Sequence, residues 1–66
     1  MNIKVRLAIL GKMQKDLLDE VRKRGFPKMT ASRFSAFLRR HDVGPTSEKV
    51  MNLVYDILDE WEKETE

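Results

Sequence analysis

The chain of 66 residues predicts an all-α fold, a small domain of four short helices, and three observations carry that expectation. Apolar residues recur at helical spacing in separate stretches, most regularly through Val50, Leu53, Val54, Ile57, Leu58 and Trp61. Gly11, Gly25 and Gly44 punctuate the chain between those stretches. No second alternating apolar segment exists with which a strand could pair.

The first stretch reads two ways. Ile3, Val5, Leu7 and Ile9 alternate as in a strand, whereas Ile3, Leu7 and Leu10 form a helical stripe with Ala8 beside it. A lone strand would leave its backbone groups unpaired, so a helix is expected over about 2–10, ended by Gly11. A second helix is expected over 13–24, with Met13, Leu17, Leu18 and Val21 inward and Gln14, Lys15, Asp19, Arg22 and Lys23 outward. Its acids Asp16, Asp19 and Glu20 precede Arg22, Lys23 and Arg24, an order that suits the helix dipole. Gly25 stops it, Phe26-Pro27-Lys28 makes a turn, and Phe26 tucks beneath as a plug for the core.

The third helix is expected over 31–41. Thr30 serves as its N-cap, and Met29 packs on Phe34 as a hydrophobic staple. Phe34, Phe37, Leu38 and His41 share one face, leaving Ser32, Arg33, Ala36, Arg39 and Arg40 on the other. Asp42-Val43-Gly44-Pro45 is a break, after which Thr46 or Ser47 caps a fourth helix over 47–63. Burial of its stripe, at about 1.5–3 kcal/mol per side chain, makes this helix the lid of the core. Met51 and Tyr55 flank the stripe and either border the core or widen the stripe into a dimer contact. Residues 62–66 are expected to fray.

Length allows one domain, 1–66, with one small core. The chain has no cysteine, which excludes disulfides and thiolate metal sites, and no apolar run near the roughly 20 residues that span a bilayer. A long apolar leader is also missing from the opening residues, so a soluble, cytoplasmic protein without membrane contact is expected. The net charge of +2 conceals a strong asymmetry. Residues 1–41 carry eleven Lys and Arg against three acids, a balance of +8, and residues 42–66 carry two Lys against eight acids, a balance of −6. Such polarity suits the presentation of a basic face to nucleic acid, though two ordinary solvated surfaces would have the same composition.

Catalytic chemistry finds no foothold. His41 is the single histidine, so Ser32, Ser35 and Ser47 have no second histidine to serve them as base. The glycines sit at helix boundaries rather than in a phosphate-binding loop, and the acids of the last helix lack the spacing of a calcium loop. Neither an enzyme nor a bound cofactor, metal or small-molecule substrate is expected.

Gly11-Lys12-Met13-Gln14-Lys15-Asp16-Leu17-Leu18 resembles the Gly-x-Thr-Gln-x-x-Leu-Ala opening of Cro and repressor-type helix-turn-helix proteins of phages and bacteria. Phe34-Ser35-Ala36-Phe37-Leu38-Arg39 is similar to the end of that family's recognition helix, and Gly44-Pro45 with the apolar helix after it resembles the following segment. The pattern departs at Met13, where the family has a hydroxyl cap, at Leu18, where it has a small alanine, and in a longer turn.

The resemblance implies a helix-turn-helix in which the third helix enters the major groove of double-stranded DNA. Ser32, Arg33 and Ala36 would reach base edges, Arg33 by two hydrogen bonds to guanine and Ala36 by contact with a thymine methyl. Gln14 corresponds to the family's phosphate-contacting glutamine, while Lys15, Lys28, Arg39 and Arg40 would follow the backbone. It further implies a transcriptional regulator of phage or mobile-element origin, acting as a homodimer on a two-fold site. Two rivals share the same residues: a helical protein-interaction module, such as a phage-encoded inhibitor docking through its acidic last helix or an exposed Tyr55 and Trp61 surface, and an architectural excision factor.

Overall fold

A computed structural model describes residues 2–39 and 44–64 and contains four helices, α1 (Ile3–Leu10), α2 (Gln14–Lys23), α3 (Ala31–Leu38) and α4 (Pro45–Glu64). Among the described residues there is no strand, as the absence of a second alternating segment predicts. The first three helices have eight to ten residues each, below the length at which a helix persists alone in water. All three pack on the 20-residue α4, and α2 and α3 also pack on each other.

Fully buried Val50, Val54, Ile57 and Leu58 of α4 meet Leu7 of α1, Leu17, Leu18 and Val21 of α2, and Phe34 and Phe37 of α3. Leu53 and Trp61, expected in the same stripe, are only half-buried and lie against the edge of this cluster. Met51 is buried, so of the two residues flanking the stripe only Tyr55 reaches solvent.

The helix ends follow from local chemistry. Asn2 accepts a 2.7 Å hydrogen bond from the Lys4 backbone N–H and so starts α1. Gly11, at φ +70°, ends it in a Schellman turn: Gly11 N–H bonds Ala8 C=O at 3.1 Å and Lys12 N–H bonds Leu7 C=O at 2.9 Å. The Phe26 N–H reaches back to Val21 C=O at 3.2 Å, closing α2 and bringing the half-buried Phe26 ring under the core as expected. Phe26 to Met29 is a β-turn with Pro27 at its second position, closed by a 3.1 Å bond from Met29 N–H to Phe26 C=O.

The structure corrects the expected boundaries and facings at several points. Met13, predicted inward, is 62% exposed. It precedes α2 with an extended backbone (φ −108°, ψ 161°), so helical periodicity does not govern its direction. The fourth helix begins two residues before 47, with Pro45 as first helical residue and the Gly44 carbonyl accepting from Glu48 N–H at 3.0 Å. Thr46 and Ser47 therefore lie inside the first turn, and Ser47 is buried rather than capping. Glu62 and Glu64, expected to fray, belong to α4. The third helix ends at Leu38 with Arg39 as its cap; Arg40 and His41, and the face assigned to them, lie outside the described residues.

Two substitutions test this account of the fold. Phe34→Ala removes a fully buried ring and is expected to cost about 3–5 kcal/mol in urea unfolding, a large share of a small domain's stability. Gly11→Ala meets no atom within 4 Å, so its cost should be that of the left-handed backbone alone, about 1–2 kcal/mol.

Candidate nucleic-acid interface

The third helix is held at both ends of its approach. Thr30 Oγ1 accepts from Arg33 N–H at 3.2 Å, capping α3, and Met29 is buried beside Phe34 in the core as a staple requires. Arg22 Nε donates to the Met29 carbonyl at 2.8 Å, which ties the seven residues between α2 and α3 back to α2. Phe34 and Phe37 then anchor α3 on α4, and the opposite side of the helix, with Ser32, Arg33 and Arg39, is exposed. Ala36 is half-buried on that side.

The predicted site residues fall into two groups. Gln14, the first residue of α2, and Arg39, the cap of α3, line one cleft of about 440 Å³ with Lys4, Ser35 and Tyr55, over a floor that includes Leu7. Lys28 and Arg33 line a second, smaller hollow of about 250 Å³ beside the turn that precedes α3. No carboxylate lines either concavity among the described residues. Lys15 is exposed on α2 and lines neither, and Arg40 lies outside the described residues. Arg33 also places its guanidinium 5.4 Å from the centre of the Phe37 ring, one turn further along α3.

Sequence reasoning missed Lys4 and Ser35, and placed Tyr55 only on a protein-docking surface, because only the fold brings α1 and α4 to the end of α3. It also treated the basic half as a single surface, whereas the structure divides it. Arg6 donates to Glu62 from Nε at 2.9 Å and from Nη2 at 2.8 Å, and to Asp59 from Nη2 at 2.8 Å, joining α1 to α4. Arg24 likewise joins α2 to Glu60 of α4 and pairs with Glu20 at 3.3 Å. Arg22 and Lys23 have carboxylates one turn away on α2, and the Lys12 ammonium sits 5.1 Å over the Trp61 ring. By contrast Lys4, Lys15, Lys28, Arg33 and Arg39 form no ion pair among the described residues.

The same pairing occupies the acidic face. Hydrogen bonds from Arg6 hold the Glu62 carboxyl below its ordinary range, and those from Arg24 do the same for Glu60. In turn Glu62 and Asp59 push the Arg6 guanidinium further above its already high value. Among the described residues, no group of acids is arranged to hold a metal ion, and no helix is long and apolar enough to cross a membrane. No family model, curated protein or solved structure matches the chain.

The paired carboxylates define a pH dependence. Because folding lowers the pKa of Glu60 and Glu62 from about 4.5, their contribution to stability is complete above that value and disappears as pH falls through the lowered ones. Melting temperature should therefore drop on acidification below about pH 4.5, and in Arg6→Ala the drop should be shallower because Glu62 has lost the partner that lowers it. Parallel acid titrations by circular dichroism check both expectations.

Proposed function

We propose that the protein is a sequence-specific double-stranded DNA-binding transcriptional regulator of the Cro-like helix-turn-helix kind, with α2 and α3 as the two helices of the motif and α3 in the major groove. The observation that supports the reading is the division of the cations. Arg6, Arg22, Lys23 and Arg24 are spent on carboxylates of α2 and α4, while Lys28, Arg33 and Arg39, around α3, are among the cations that have no ion-pair partner among the described residues. Acid-free concavities lie at both ends of the helix. A helix flanked by unneutralised positive charge suits a major groove, which is bordered on both sides by phosphates.

In this reading Ser32, Arg33 and Ala36 face the base edges, Arg33 as a bidentate donor to guanine and Ala36 against a thymine methyl. Gln14, Lys15, Lys28 and Arg39 contact backbone phosphates and set the register of the helix without carrying sequence information. A domain this small covers a single half-site, so two copies on a two-fold site raise both affinity and specificity. The competing use of the acidic last helix as a docking surface has less charge to work with, since Asp59, Glu60 and Glu62 are engaged by Arg6 and Arg24.

A salt titration of binding to duplex DNA tests the proposal. Binding should weaken with a log–log slope of about −0.9 for each phosphate neutralised. Arg33→Ala combined with Arg39→Ala should reduce affinity about tenfold or more at fixed salt. Undiminished affinity in the folded double variant would remove α3 from the interface.

A further inference from the structure

Of the polar residues lining the cleft between α1 and α3, Gln14 and Arg39 have been assigned to backbone phosphates, whereas Lys4, Ser35 and Tyr55 beside them have no assigned role. Its walls come from helices that both rest on α4, with Lys4 on the α1 side and Arg39 on the α3 side. Gln14, Ser35 and Tyr55 add an amide and two hydroxyls to the lining. Neither cation has an ion-pair partner among the described residues, and no acid among them lines the cleft. The backbone beneath Lys4 is fixed by its bond to the Asn2 side chain, so the residue projects from a capped helix rather than from a loose end.

We propose that this cleft seats a phosphodiester of the DNA backbone, with Lys4 as a contact residue beside Arg39; the inference rests on the DNA-binding reading and names a part of the same interface. A phosphodiester carries one delocalised negative charge and several acceptor oxygens. An ammonium supplies the point charge, a guanidinium supplies paired donors, and amide and hydroxyl groups satisfy the remaining oxygens. The apolar floor formed by Leu7 and Met51 excludes part of the surrounding water, which leaves attraction to the two cations less screened than on an open surface. The occupant also follows from position: with α3 in a groove about 12 Å wide, a backbone strand runs past each end of the helix. Lys28 meets one strand, and Arg39 with Lys4 meets the other.

Salt titrations of wild type, Lys4→Gln, Lys4→Arg and Lys63→Gln on the same duplex decide the matter. Removal of one phosphate contact should make the slope of Lys4→Gln shallower by about 0.9, whereas Lys4→Arg keeps the wild-type slope. Lys63, near the end of α4 and outside the cleft, serves as the control, and its neutralisation should leave the slope unchanged. A folded Lys4→Gln protein with the wild-type slope overturns the phosphate seat while leaving the DNA-binding reading intact. A wild-type protein that fails to bind duplex DNA even at low salt overturns that reading and the seat with it.

Discussion

Three helices too short to persist alone can coexist in this chain because α4 offers each of them a buried partner. The stripe of Val50, Val54, Ile57 and Leu58 occupies the middle of that helix, and α1, α2 and α3 all pack against it. Everything that bears on the outer surface follows from this arrangement. The orientation of α3 is set from beneath by Phe34 and Phe37, which leaves its polar side facing away from the core. Ion pairs from Arg6 and Arg24 add direction to that packing, since hydrophobic contact alone fixes the rotation of a helix less strictly than a hydrogen-bonded guanidinium does.

Those ion pairs also explain why formal charge is a poor guide to the surface. The excess of cations in residues 1–41 suggests one basic face, yet Arg6 and Arg24 turn toward acids far away in sequence. What remains unneutralised among the described residues includes Lys4 and Arg39 at the cleft and Lys28 and Arg33 by the turn beside α3. Local positive potential at such a place exceeds what a net charge of +2 would imply.

Features governed by near neighbours were legible before the fold was known. Four helices, the capping of α3 by Thr30, the stop at Gly11 and the core stripe of α4 all depend on residues within one or two turns of each other. Reading failed where a pattern was extended past a helix end, as at Met13, or where two caps competed, as at Gly44-Pro45 against Thr46 and Ser47. It failed differently at Lys4. Nothing local marks that residue, because its relation to Arg39 is created by two helices brought together as both pack on α4. The pairing of Arg6 with Glu62, 56 residues apart, was hidden for the same reason.

The order of the elements along the chain has a consequence for biosynthesis. Residues of α1, α2 and α3 are synthesised before α4, so Leu17, Leu18, Phe34 and Phe37 at first have no completed surface to cover them. At translation rates of about 5–20 residues per second, that interval lasts seconds, whereas helices themselves form in well under a millisecond. The apolar faces of the first three helices therefore stay without their α4 partner until Val50 through Leu58 have been made.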